Sequence, residues 1–383
     1  MKKFKIFTIL SILCAGFIVN LQPNVHLVSA SEFNPETKTK ACLLLDMNSN
    51  QVLYNENEYT HIPVASIVKL MTILLTFEEI EAGNIGLDDN VLVSEKASGM
   101  GGSQIFLDAN SEYNLGELLK SVIVCSANDS SVALAEYISG SEQQFVIKMN
   151  ARLQEMNLTN TNYENCTGLP SPNQYSCAYD VAQILRIVLS FDKYHEYSSI
   201  WLEDFKHPSG RTTEMTNTNR LSRFYQGCIG GKTGSTDEAG YCLAVGAERN
   251  NLRLIAVTLG ADTTKNRFKS ASDLLNYGFA NFENYTIDTS NLVNITLKDN
   301  SILETDIQGN CSILIKKGEK PEYLIKSYLP TKISKCEIGE VLGHIEIIVD
   351  GSIYSTLNVI ASQQVKEATF IDNLKDITED FIS

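Results

Sequence analysis

The sequence predicts an α/β domain, a sheet carrying an inserted helical lobe, followed by a small all-β domain. Three observations lead there. Strand-like runs stand at both ends of the first 285 residues, and the stretch between them is largely helical in pattern. After about Tyr285 the texture changes to short β-like runs separated by turn residues. Hydrophobic residues make up 43% of the 383, which is enough for real cores and argues against large-scale disorder.

The elements follow in order. Lys2, Lys3 and Lys5 precede a mostly apolar run from Ile6 to Val19, and Val28-Ser29-Ala30 offers small residues for cleavage. Residues 1–30 therefore read as a secretory signal peptide cut after Ala30, and the chain as secreted. An uncleaved anchor helix is the alternative, but the run is short for a membrane span. Leu13 is too large to precede a lipoprotein cysteine at Cys14. Ala41 to Asp46 and Gln51 to Asn55, separated by Asn48-Ser49-Asn50, form a hairpin signal. Pro63 suits the first turn of a helix running from Ser66 to Phe77, apolar on nearly every side and so expected to be buried. Leu115 to Ser139 is helical with an interruption around Ser126-Ala127-Asn128, and Gln143 to Met156 and Tyr179 to Leu189 extend the lobe. Gly240 to Glu248 and Leu252 to Gly260 are strands, and Asp273 to Phe282 closes the domain as a helix. The domain is placed at 31–285.

The second domain, at 286–363, contains β-like runs at Leu292 to Leu297, Cys311 to Ile315, Tyr323 to Tyr328, Gly343 to Val349 and Ile353 to Ile360. Residues 364–383 form an amphipathic C-terminal helix, with Phe370, Ile371, Leu374, Ile377 and Phe381 on one face. It either packs on the β domain or lies on a membrane surface, although its acidic face is a poor match to anionic lipid.

Charge and composition exclude some functions. A formal net charge of −15 argues against nucleic acid, where basic patches supply affinity. The five histidines never fall at metal-ligand spacing, so no zinc site and no cofactor is expected. Eight of the nine cysteines follow the signal region without a tight framework, and free thiols are expected to predominate.

Three short motifs carry chemistry. In Ser66-Ile67-Val68-Lys69 the three-residue spacing brings serine and lysine onto one helical face. A serine hydroxyl is a weak nucleophile until a base takes its proton. A lysine serves as that base once burial or nearby positive charge lowers its pKa. In Ser126-Ala127-Asn128 the hydroxyl could pass a proton and the amide could hold a substrate. In Lys232-Thr233-Gly234-Ser235 lysine and threonine on an edge strand could bind a carboxylate, and the glycine admits a close backbone approach. Each motif alone is weak; their order and setting carry the weight.

Together they resemble the signature of the serine penicillin-binding proteins and class A β-lactamases. More closely, the chain resembles the low-molecular-mass penicillin-binding proteins of the D-alanyl-D-alanine carboxypeptidase type. The likeness runs through Pro63 to Thr72, Gly101-Gly-Ser-Gln104, Leu118 to Glu136, Thr167-Gly-Leu169, Gly231 to Leu243, and Arg267 with Leu274 to Phe279. It implies a β-lactamase/transpeptidase-like domain followed by the β domain. By that likeness Ser66 attacks the bond between two D-alanines, Lys69 takes its proton, and Ser126 relays a proton to the leaving D-alanine. Asn128 orients substrate and Lys69, Lys232 helps keep Lys69 neutral, and Thr233 with Arg267 holds the terminal carboxylate. Backbone N–H groups of Ser66 and Ser235 form an oxyanion hole beside Gly234. The resemblance further implies peptidoglycan pentapeptide stems as substrates, β-lactams as inhibitors, a place in the cell wall or on the outer membrane face, and peripheral membrane contact through the last helix.

Two departures stand out. Cys166 replaces the family's usual proline before Thr167-Gly168, and Cys228 lies close to the third motif, either of which could add thiol sensitivity. Glu164 is followed by Asn-Cys-Thr-Gly rather than the Leu-Asn pairing of a β-lactamase, which disfavours that reading. An endopeptidase or transpeptidase using the same acyl-enzyme stays open, as does a non-catalytic cell-wall scaffold.

Overall fold

The computed structural model describes residues 39–289, 295–297, 301–309 and 311–366. The signal peptide expected at residues 1–30 and the amphipathic run beyond residue 366 lie outside them. At the centre is a five-stranded antiparallel sheet. Its strands are β1 (Ala41–Asp46), β2 (Val52–Glu56), β3 (Cys228–Thr236), β4 (Gly240–Arg249) and β5 (Leu252–Ala261), in the spatial order β2-β1-β5-β4-β3. Both ends of the first domain thus meet in one sheet, and the strand bearing Lys232 lies at its edge.

Antiparallel sheets commonly leave one face to water and alternate polar with apolar residues. Here both faces are covered. Leu43, Leu45, Ala244, Ile255 and Val257 face the helical lobe. Cys42, Leu44, Leu243, Val245, Leu254 and Ala256 join Ala271, Leu274, Leu275 and Phe279 of a long closing helix. Two-sided burial explains why these strands read as continuous apolar runs.

The main helices are α1 (Lys69–Glu81), α2 (Leu115–Val124), α3 (Asn128–Ser139) and α4 (Thr264–Asn281), with Glu142–Glu155 and Ala178–Val188 completing the lobe. Helix α4 starts well before the expected Asp273. Thr263 caps it by accepting a 3.1 Å hydrogen bond from Asn266 N, and its polar first turn hides the start from an apolar-period reading. The helix Asp192–Ser199 and the hairpin Leu202–Lys206 with Thr212–Thr216 were not anticipated, because their residues are mostly polar.

The strand Phe282–Thr286 follows α4 and pairs with Ser312–Lys316, and Phe282 and Leu314 pack beside Leu274 and Phe279. Among the described residues, this region contains three small sheets. Its strands include Tyr323–Tyr328, Val341–Val349 and Ser352–Ala361, close to the expected runs. Ile287, Ile313 and Ile347 form one small core, and Ile295, Leu303, Cys336 and Ala361 another. Val365 pairs in extended form with Cys336, so the expected helix does not begin at 364. Among the described residues no helix is long and apolar enough to cross a membrane.

Candidate active site

Ser66 does not sit within the regular α-helix that its motif suggested. It lies in a 3-10 turn, Ala65–Val68, and α1 begins at Lys69. The turn is strained: Ala65 has φ +49°, a left-handed conformation uncommon outside glycine. Two glycines hold it in place. A Cβ at Gly168, itself at φ +82°, would lie 2.0 Å from Ala65 O and 2.8 Å from Ser66 N. A Cβ at Gly234 would lie 2.6 Å from Val64 O and 3.0 Å from Ser66 N. A loop and the edge strand thus close on the backbone of Ser66 from two sides, and only glycine permits the approach. Such strain clusters where function requires a fixed geometry.

Lys69 is fully buried, and its Nζ donates to Ser66 Oγ at 3.0 Å and to Thr167 O at 2.5 Å. Burial pushes its pKa down to about 7, against an opposing pull from Cys166, Cys125 and Asp129. An amine poised there is a competent general base near neutral pH. Lys232 is almost as buried, and its Nζ donates to Ser126 Oγ at 2.7 Å and to Thr233 O at 3.0 Å. Burial and the charge of Lys69 together hold its pKa well below the ordinary lysine range. The two lysines repel one another, which favours loss of a proton from the pair.

Ser126 occupies the break between α2 and α3, at φ +65°. Asn128 opens α3, and its Nδ2 donates to Gly101 O at 2.6 Å while its backbone N donates to Ser103 O at 2.7 Å. The carbonyl partner fixes the amide's orientation. Its Oδ1 is therefore a buried acceptor with no protein partner, ready for a donor from outside. No hydrogen bond joins Asn128 to Lys69 among the described residues; Thr167 O fills that place instead. Asp129, which the motif reading passed over, is buried and accepts from Ile105 N, Leu107 N and Ser130 N. It fixes the loop that Asn128 braces, and its only sequence signal is an acid in the first turn of a buried helix.

Thr233 is buried and Ser235 exposed at the edge of the sheet. Arg267, on α4, donates from Nη1 to Gly234 O at 3.2 Å and to Cys242 O at 3.4 Å. Its guanidinium lies over the rings of Phe268 and Tyr241. Burial lowers its pKa to about 10, and its Nε is a buried donor without a protein partner. Contacts join Ser66 to Lys69, Ser126 to Lys232 and Thr233, and Arg267 to Gly234, which closes on Ser66 N, while Asn128 is held by Gly101 and Ser103.

Three features named by the sequence stand apart from the chemistry. Cys166 is fully buried, with its thiol pKa driven well up by burial, and Cys228 is also raised by burial, so neither has the character of a reactive thiol. Glu164 is exposed and binds Ser171 Oγ, Asn173 N and Asn173 Nδ2 on the surface, away from Ser66. Among the described residues no cluster of three or more His, Cys, Asp or Glu side chains could hold a metal ion.

A sheet flanked by helices, with a serine whose hydroxyl meets a buried lysine, has the parts of an enzyme that forms an acyl-serine intermediate. The sequence profile of the D-alanyl-D-alanine carboxypeptidases matches residues 28–263. The chain is 37% identical over 347 residues to the D-alanyl-D-alanine carboxypeptidase DacF of Bacillus subtilis, covering 88% of each. It is 30% identical over 377 residues to the D-alanyl-D-alanine carboxypeptidase DacC of Escherichia coli, covering 94% of this chain and 93% of that one. Among solved structures it resembles penicillin binding protein 5 from Haemophilus influenzae at a TM-score of 0.68 and 30% identity, covering 88% of this chain and 100% of that one. The chain belongs to the D-alanyl-D-alanine carboxypeptidase family.

Proposed function

We propose that this enzyme removes the terminal D-alanine from peptidoglycan stem peptides through an acyl-enzyme on Ser66. The observation that carries the reading is the contact between Ser66 Oγ and the buried, deprotonatable Nζ of Lys69. Lys69 takes the hydroxyl proton as Oγ attacks the carbonyl carbon of the penultimate D-alanine. The C–N bond then breaks, and the departing amine receives a proton by way of Ser126, whose hydroxyl is held by Lys232. Water attacks the ester and restores Ser66. The unpartnered Oδ1 of Asn128 supports a role in accepting a substrate N–H. Thr233, with Arg267 behind it, supports binding of the terminal carboxylate, and backbone N–H groups of Ser66 and Ser235 take the developing oxyanion. β-Lactams, which mimic the substrate, acylate the same oxygen. The work is extracytoplasmic, at the cell wall, and the amphipathic run at 366–383 is the segment proposed to touch the membrane surface.

The test is D-alanine release from a pentapeptide stem by wild type and by Ser66→Ala, alongside labelling with a fluorescent penicillin. Release and labelling by the wild type alone are expected. Equal release from both would sink the mechanism, and an unlabelled wild type would favour a scaffold.

A further inference from the structure

Lys69 meets more than its serine, and its second partner is held in place by an unusually well-connected side chain. The carbonyl of Thr167 receives Lys69 Nζ at 2.5 Å. That carbonyl belongs to a tight loop, Asn165 to Leu169, organised by one amide. Asn165 Oδ1 accepts from Gly168 N at 2.7 Å, from Thr167 Oγ1 at 3.1 Å and from Thr167 N at 3.2 Å. Asn165 Nδ2 donates to Leu169 O at 3.0 Å. This is the Asx turn that asparagine favours, extended to both amide atoms.

The loop is fastened to α1 at two successive carbonyls. Cys166 O accepts from Thr72 Oγ1 at 2.8 Å, one turn along α1, and Thr167 O accepts from Lys69. The next residue, Gly168, is the one that presses on Ala65 O and Ser66 N. One loop therefore touches both the base and the nucleophile's backbone, and Asn165 sets its shape.

We propose that Asn165 is a positioning residue for acylation, acting through Thr167 O to aim Lys69 at Ser66. A neutral amine has two N–H donors and one lone pair. When Thr167 O takes one N–H, the lone pair is free to face Ser66 Oγ–H. Without that carbonyl the amine rotates among poorer geometries. A lost acceptor also withdraws support from the ammonium form. The inference rests on the reading of Ser66 as the acylated residue.

The experiment measures the acylation rate by a fluorescent penicillin against pH, with thermal melting, for wild type, Asn165→Ala and Asn165→Asp. Asn165→Ala is expected to acylate about tenfold to a hundredfold more slowly, as a small misplacement of reacting groups would do. Its acid limb should move to lower pH, because Lys69 has lost an acceptor. Asn165→Asp keeps Oδ1 for the three turn bonds and adds negative charge near Lys69. It should recover part of the rate with its acid limb moved to higher pH. Opposite limb shifts are a signature that mere loss of folded protein cannot give. Wild-type rate and limb in Asn165→Ala would overturn the proposal, as would identical rates and limbs in the two variants. Should Asn165→Ala not fold, an unchanged limb in Asn165→Asp would overturn it. An unlabelled wild type would instead overturn the reading of Ser66.

Discussion

Lys232 donates from Nζ to Ser126 Oγ at 2.7 Å, with both side chains buried. The contact repeats, on the edge strand, the one that Lys69 makes with Ser66 at 3.0 Å. Two lysine–serine pairs thus stand in one site. Each lysine is pushed down by burial, and the charge of Lys69 lowers Lys232 further. Among the described residues neither amine has a carboxylate salt bridge. The pairing makes chemical sense when protons must move in and out.

Replacing Lys232 by Met should remove catalysis without removing the fold. The rate of D-alanine release is expected to fall by about a hundredfold to a thousandfold, the scale for losing one preorganised charge or donor. The melting temperature should hold or rise, since burying an amine whose charged form is disfavoured costs stability. A melting temperature lowered by several degrees would show that Lys232 is chiefly structural.

Acylation should have an acid limb near pH 7, where Lys69 titrates. Neutral Lys69 is the active form, so the rate falls about tenfold for each unit below that limb and is flat above it until another group titrates. Lys69→Arg, which keeps the charge and does not deprotonate, should be inactive throughout. The same group affects stability. Its folded value of about 7 lies below the ordinary 10.5, so between these the unfolded chain binds more protons than the native state. Its contribution to stability therefore rises with pH across that window. Penicillin acylation and melting temperature followed from pH 5 to 9 check both signs; a pH-independent acylation rate would refute the first.

Gly168→Ala should disable the site even though the mutated position carries no reactive group. The new Cβ would meet Ala65 O at 2.0 Å, and the backbone is already at φ +82°. The loop and the Ser66 turn would have to separate, at a cost of about 1–3 kcal/mol. Slow acylation together with a lower melting temperature is the expected result. Wild-type acylation kinetics would mean that the contact does not set the turn.

Iodoacetamide at neutral pH should leave acylation intact. Cys166 is fully buried, Cys125 is pushed up to about 12 by burial, and Cys228 is raised too. Thiolates, the reactive form, are therefore scarce at all three. Inactivation that is prevented by bound penicillin would contradict this.

The sequence by itself determined the fold class and the order of the three motifs, and it named the side chains proposed to react. Those features are local. Ser66 and Lys69 lie three residues apart, and the apolar runs that form β1, β4 and β5 mark strands buried on both faces. The start of α4 and the mostly polar helix and hairpin between residues 192 and 216 escaped, because their apolar periodicity is weak. Only the tertiary structure decided how far each group is buried and which backbone atoms face it. Thr167 O reaches Lys69 across 98 positions, and Lys232 reaches Ser126 across 106. It also showed that Gly168 and Gly234 close on Ser66, that Arg267 holds the Gly234 carbonyl, and that Asn128 leaves its oxygen unpartnered. The physical reason is that nucleophilicity depends on desolvation and aim, and both are supplied by segments distant in sequence.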